Sequence, residues 1–266
     1  IVAESKFTHS GKIKDKNFDI NKFSKFKNKI NYFYIEKEPK NISKILDADS
    51  QDEKNNKKIL NAMARDNFQR NCLSDGIRDA NDEDLIILSD LDEIPNLENV
   101  EFEKIKNNIL LFEQKIFYYK FNLLYPNFLW YGSKACKKKN FLYPQWLRNI
   151  KNKKYPFWRF DTFFSKKKYQ NIYILKDGGW HFTNIKSPEQ IHNKMINFAH
   201  HFEYEKSNFS ENDMKNFIKN RVVFYDHFSD KNKNRFKSQI KLEIAKRGIL
   251  PKYLIENIEN YKDWVE

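Results

Sequence analysis

The sequence predicts an α/β fold, and three stretches carry that expectation. Leu85-Ile86-Ile87-Leu88 is a short, continuously apolar run, the pattern of a strand covered on both faces. Residues 55–73 repeat apolar side chains near the 3.6-residue period of a helix. Ile172-Tyr173-Ile174-Leu175 is a second short apolar run. Open α/β sheets bind ligands at the carboxyl ends of their strands. Acids stand at that place here, because Asp90, Asp92 and Glu93 follow directly on Leu88.

Composition bounds the rest. The 266 residues suffice for one large or two small domains. Apolar residues make up 40% and aromatics 16%, enough for a substantial core. There are 49 Lys and Arg against 36 Asp and Glu, a net charge of +13. Such a balance favours polyanions, anionic membrane surfaces or phosphorylated ligands. The basic residues are dispersed, with small runs at Lys137–Lys139 and Lys166–Lys168, so a solvated surface accounts for most and no nucleic-acid partner is expected. Cys72 and Cys136 have no metal-ligand spacing; a reducing compartment is the simpler reading and one disulfide the alternative. No apolar run approaches the roughly 18 residues of a membrane span, and no signal peptide is visible. The expected localisation is cytoplasmic, with peripheral contact at the inner, anionic face of a membrane as an option.

Taken in order, Ile1 to Ser5 resembles the end of a buried strand, and Thr8-His9-Ser10-Gly11 a polar turn, either an ordinary loop or a ligand contact. Residues 12–29 are Lys-rich and irregular. Ile30 to Glu36 has the β-branched and aromatic content of a strand, and Pro39 to Lys54 that of a loop. In the helix that follows, Ile59, Leu60, Met63, Phe68 and Cys72 form the apolar stripe. Arg65, Asp66, Gln69 and Arg70 form a polar stripe, in which Asp66 and Arg70 either pair at i, i+4 or contact an anionic ligand. A strand at 85–88 and a short helix up to Asn107 come next, then one or two aromatic-rich strands over Ile109–Leu124. Arg148 and Arg159 each lie beside a Trp. Asp177-Gly178-Gly179-Trp180-His181-Phe182 ends the next strand, with two glycines that permit unusual angles or a close approach. Ser187-Pro188-Glu189-Gln190 opens a helix in capping-box form. Its apolar face is Ile191, Met195, Phe198 and Ala199, and His200-His201 is read as structural. Residues 210–221 form a further helix, and 231–266 are helical in pieces, punctuated by Gly248 and Pro251.

Asp90 and Asp92 are two apart, so on an extended chain both carboxylates point to one side. That makes a hard-oxygen site for Mg²⁺ or Mn²⁺ carrying a phosphorylated ligand. The bland alternative is a solvated turn after a strand.

Four blocks together resemble glycosyltransferase family 17, the bisecting N-acetylglucosaminyltransferase family, over residues 1 to about 205. They are Val2-Ala3-Glu4-Ser5 with Thr8-His9-Ser10-Gly11; Arg65-Asp66 with Gln69-Arg70-Asn71; Leu88-Ser89-Asp90-Leu91-Asp92-Glu93-Ile94-Pro95; and Asp177-Gly178-Gly179-Trp180-His181-Phe182 with Lys194, Phe198, His200 and Glu203. The resemblance implies one catalytic domain over 1–266, its last part, 206–266, helical. It implies a GT-A-like α/β fold with a mostly parallel central sheet, a UDP-sugar donor such as UDP-N-acetylglucosamine, a metal and inversion at the anomeric carbon. Asp66 stands where the family usually has Glu, and family members begin with a further strand and helix, so an N-terminal βα unit is expected upstream.

On this reading Asp90 and Asp92 of the DxD motif hold Mn²⁺ or Mg²⁺, joined by His181. Glu4, Thr8, His9, Arg65, Asp66, Gln69, Arg70, Arg148 and Trp180 lie at the donor, with Arg70 and Arg148 as clamps for phosphate oxygens. Asp177 or Glu93 is the base for the acceptor hydroxyl, on a glycan or glycolipid. The rival readings are a metal-dependent phosphodiesterase or nuclease, which uses the same acids, and a basic nucleic-acid- or membrane-binding module, which leaves Asp90–Glu93 unexplained.

Overall fold

A computed structural model describes residues 1–98, 100–153, 155–156, 158–162, 164–169, 171–196, 204, 207–225 and 240–266. The chain forms two compact units. Unit 1 holds Ile1–Ala80, Tyr143–Gln145 and Asn193–Asn208; unit 2 holds Asn81–Leu142, Trp146–His192 and Phe209–Glu266.

In unit 1, β1 (Val2–Ser5) pairs in parallel with β2 (Tyr32–Ile35). Between them Ile20–Lys29 winds as 3₁₀ helix, where the sequence suggests irregular chain. The helix α1 (Gln51–Asn71) starts earlier than its apolar period indicates, because Ser50 and Glu53 close a capping box. Its buried residues are Asn55, Asn61, Ala62 and Ala64, while Leu60 and Met63 of the expected stripe are exposed. Asn61 is buried because both ends of its amide are used: Nδ2 donates to the Ser43 carbonyl at 2.8 Å and Oδ1 accepts from the Ser43 N–H at 2.8 Å. Two alanines and two asparagines thus take the inner face that periodicity assigns to large apolar ones.

Unit 2 is built on a seven-stranded sheet. Its strands are β3 (Leu85–Leu88), β4 (Glu93–Pro95), β5 (Ile109–Tyr118), β6 (Leu123–Trp130), β7 (Lys134–Lys137), β8 (Ile172–Thr183) and β11 (Glu243–Ile244). The pair β9 (Val222–Val223) and β10 (Ile240–Lys241) stands apart from it. The mostly parallel central sheet expected from the sequence is not formed. Only β8 joins β5 in parallel; β6 and β7 on β5, β3 on β7, β4 on β8 and β11 on β6 are all antiparallel. Connection length explains this. Four residues join β5 to β6, which permits only an antiparallel return. The long excursion between β6 and β8 allows the single parallel pairing.

The central strand is therefore β5. Leu111, Phe112, Ile116 and Phe117 are fully buried on it, each such side chain contributing about 1.5–3 kcal/mol. The strand β3 pairs with β7 alone among the described strands, and Leu85, Ile86 and Ile87 are only half-buried. The expected central strand at 85–88 is thus terminal in the sheet. A four-residue strand cannot cover the ten residues of β5, which the paired β6 and β7 share instead.

After β4 the expected helix shrinks to one 3₁₀ turn at Phe102–Lys104. Helix α2 is Pro144–Asn149 and α3 is Pro188–Ile196, the latter opened by the expected box: Gln190 N–H donates to Ser187 Oγ at 3.2 Å, and Ser187 N–H to Gln190 Oε1 at 3.1 Å. Lys194 lies on α3; Phe198, Ala199, His200, His201 and Glu203 lie outside the described residues. Helix α4 (Glu211–Lys219) follows as expected, whereas β10 and β11 interrupt the C-terminal part read as helical. Cys72 and Cys136 are both free. No helix among the described residues is long and apolar enough to cross a membrane.

Candidate functional site

The acids after β3 sit on a tight turn. Glu93 N–H donates to the Asp90 carbonyl at 3.0 Å, and Leu91 at the tip is 99% exposed. The chain is not extended there, so the spacing of two does not bring Asp90 and Asp92 to one task. Their carboxylates have different partners.

Asp90 Oδ2 accepts from Arg148 Nη2 at 2.7 Å. Arg148 Nη1 reaches Glu93 Oε1 at 2.9 Å and Oε2 at 3.1 Å. The guanidinium expected on donor phosphate is thus a clamp on two carboxylates of the turn. Glu93 accepts further bonds from Trp130 Nε1 at 2.6 Å, from the Asp90 N–H at 3.0 Å and from Ser133 Oγ at 3.4 Å. Its side chain is 1% exposed. A buried carboxylate with both oxygens occupied positions the turn; it is not an accessible base.

Lys134, beneath this cluster, donates to the carbonyls of Arg148 at 2.6 Å and Ile150 at 2.5 Å. Burial, reinforced by the Arg148 charge, lowers its pKa from 10.5 to about 7.

Asp92 is left pointing out, with 41% of its side chain exposed and Oδ2 3.4 Å from His181 Nε2. The β4–β8 ladder sets His181 opposite Glu93, and Trp130 touches both: its ring stacks on the imidazole at 4.9 Å while its N–H holds Glu93. His181 Nδ1 is buried with no hydrogen-bond partner.

The glycine pair places His181. Along β5 Phe112 and Gln114 are two apart, but their β8 partners, Leu175 and Gly179, are four apart. The two extra residues bulge out where a Cβ on Gly178 would come within 2.8 Å of the Leu175 carbonyl and 2.9 Å of the Glu113 N–H. Gly179, at φ +136°, passes against the Ile94 carbonyl, where a Cβ would overlap. The sequence allows a close approach to a ligand; the approach seen is to the chain's own backbone.

Asp177 lies within the bulge, at φ 48°, exposed and bonded through Oδ1 to Lys115 Nζ. Trp180 faces away from His181, as alternate strand residues do. Its indole N–H donates to the Ile249 carbonyl at 2.6 Å and its ring packs by Phe117, Phe182 and Leu254. It is a core residue, not a donor contact.

The remaining expected donor residues belong to unit 1. Glu4 accepts five bonds, from Lys14 Nζ, the Asn17 N–H and side-chain amide, the Phe18 N–H and Tyr32 OH. Burial by itself pushes its carboxyl up, but the Lys14, Asn17 and Phe18 bonds outweigh it and hold the pKa at about 2. Thr8 closes a small turn by accepting from the Lys12 N–H at 3.0 Å. Arg65 forks onto Glu38 at 2.9 Å and donates to the exposed His9 carbonyl at 2.9 Å. Gly11, at φ +87°, makes room for that guanidinium, since a Cβ would lie 2.5 Å from Nη2. Gln69 donates to the Ala3 carbonyl at 3.1 Å. Asp66 and Arg70 form the i, i+4 pair at 3.0 Å, and Arg70 also holds Gln145. In Glu4, Arg65 and Arg70 the charge is paired within unit 1.

Sequence reasoning missed Gly132, Ser133 and Lys134. A Cβ at Gly132 would overlap both Glu93 Oε1 and Trp130 Nε1. The one signal for it was a glycine placed directly after the Trp130-Tyr131 pair in a strand-like segment.

One carboxylate and one imidazole 3.4 Å apart suit two positions of a divalent cation whose other positions are taken by phosphate and water. Asp90, the other acid expected there, has its Oδ2 held by Arg148. Among the described residues no group of three or more such side chains stands ready for a metal. Comparison with known proteins leaves this arrangement without a counterpart: no family model, no curated protein and no solved structure matches the chain.

Proposed function

We propose that the chain is an inverting, metal-dependent glycosyltransferase. It moves a sugar, N-acetylglucosamine first among the candidates, from a UDP-sugar to a hydroxyl of a glycan or glycolipid acceptor. The supporting observation is the Asp92–His181 pair: a half-exposed carboxylate whose Oδ2 lies 3.4 Å from the imidazole Nε2, on a turn pinned by Arg148. The four sequence blocks that resemble family 17 supply the donor class.

Asp92 and His181 would hold Mn²⁺ or Mg²⁺. Bound there, the ion would supply positive charge to offset that growing on the leaving diphosphate. Glu93, Arg148 and Trp130 keep the turn in place, so that Asp92 need not be ordered when the donor arrives. Asp177 is the base for the acceptor hydroxyl: its carboxylate is exposed and Lys115 orients one oxygen, leaving the other for the proton. Inversion is then a single displacement without a covalent intermediate.

The test is calorimetric binding and hydrolysis of UDP-N-acetylglucosamine with and without Mn²⁺, on the wild type, Asp92→Asn and Asp177→Asn. Asp92→Asn should abolish metal-dependent binding, and Asp177→Asn should retain it while losing turnover. Donor binding that ignores Mn²⁺, or survives unchanged in Asp92→Asn, would sink the reading. Cleavage of a plain phosphodiester at a comparable rate would favour a phosphodiesterase instead.

A further inference from the structure

Residues 151–169 contain seven Lys or Arg, seven aromatic residues and a single Asp. The candidate site uses none of them. In unit 2 this segment is a closed loop: Lys151 N–H donates to the Lys167 carbonyl at 2.8 Å, and Trp146 Nε1 to the Lys166 carbonyl at 2.7 Å. Trp146 is itself buried, so the base of the loop is tied to the core.

Three of the loop's rings stand in water. Trp158 is 60%, Phe160 71% and Phe164 91% exposed. An isolated exposed ring needs no explanation; three within seven residues of one anchored loop do. Cations gather on a fourth ring of the loop. Lys153, Arg159 and Lys168 stand 5.7–5.9 Å from the centroid of the Tyr155 ring. Asp161 accepts from Arg159 at 2.7 Å and from Lys168 at 2.8 Å, which fixes these two side chains. Among the described residues Lys151, Lys153, Lys166 and Lys167 have no carboxylate within ion-pair distance.

We propose that this loop is a membrane-docking element that inserts Trp158, Phe160 and Phe164 among the headgroups of an anionic lipid surface. Aromatic rings favour the membrane–water boundary. The unpaired lysines add attraction to acidic headgroups, each worth about fivefold in affinity. Single-stranded nucleic acid is also bound by rings and cations, but there the ring lies as a platform in a groove. Phe164, almost wholly exposed, stands clear of its surroundings and suits insertion. This inference does not depend on the Asp92–His181 pair.

The experiment is flotation with vesicles of phosphatidylcholine alone and of phosphatidylcholine mixed with phosphatidylglycerol, at low and raised salt, with fluorescent oligouridylate as the competing probe. The wild type should bind the mixed vesicles, bind neutral ones weakly, and lose affinity as salt rises. W158S/F160S/F164S should bind at least about tenfold more weakly. K153E/K167E should lose about 25-fold or more. Circular dichroism checks the fold of both variants, and F164S alone replaces the triple variant if that fails to fold. No binding to mixed vesicles, unchanged binding by the aromatic variants, or displacement of vesicles by oligouridylate would each overturn the proposal.

Discussion

Gly132 and Glu93 are so close that no side chain fits at position 132 while the Glu93 carboxylate keeps its place. The carboxylate occupies the volume of the missing Cβ and from there meets Trp130, Ser133 and Arg148. A glycine in the connection between β6 and β7 thereby sets the acid on β4, and that acid sets the turn carrying Asp92.

Gly132→Ala should consequently destabilise the protein by about 2–4 kcal/mol, since it displaces a buried ion pair and its hydrogen bonds. Gly248→Ala is the control, because a Cβ there meets nothing within 4 Å. It should change stability by no more than about 1 kcal/mol, and in the stabilising direction. Urea denaturation of both variants checks this; equal midpoints would contradict it.

Two neighbouring acids should separate stability from activity. Glu93→Gln leaves the Arg148 charge half-buried and partly unpaired, so unfolding should become easier by about 3 kcal/mol or more. Asp92→Asn alters an open side chain, and its stability should stay within about 0.5 kcal/mol of wild type. Thermal melts of the pair would show whether the loss follows the buried acid.

Glu4 predicts an acid limb. Its folded pKa of about 2 lies below the ordinary 4.5. The stabilisation it provides is therefore complete above pH 4.5 and is lost as pH falls toward 2. Glu4→Gln should lower stability at pH 7 and flatten the pH dependence across that window. A variant whose melting temperature falls with acid as steeply as the wild type's would rule out this role.

Lys134 predicts an alkaline limb. Its folded pKa of about 7 lies below the unfolded 10.5, so the fold favours the neutral amine. That amine still has two N–H donors, matching the Arg148 and Ile150 carbonyls. Stability should rise as pH increases from about 7 to 10.5, because the unfolded chain binds the extra proton. Lys134→Met should flatten this rise; melting temperatures measured across the range decide the point.

Local signals were legible in the chain. The Ser187–Gln190 box starts its helix because both partners lie within one turn, and Asp66–Arg70 pairs because i and i+4 are neighbours on any helix. The glycine pair before His181 announced a close approach without naming the backbone approached. Position 85–88 was recognisable as a strand, but its rank in the sheet was not, since apolar content does not say which strand has two neighbours.

By itself the sequence determined the main helices, the strands at 85–88 and 172–175, and the acidic turn between Leu88 and Pro95. Tertiary structure alone decided the direction of the sheet, through the lengths of connections between strands. It also decided which of three adjacent acids is open. Arg148, Trp130 and Gly132 come from 37 to 58 residues away in sequence, and they bury Glu93, hold Asp90 and leave Asp92 outside. A carboxylate's availability depends on which donors reach it through space, and spacing along the chain does not carry that information.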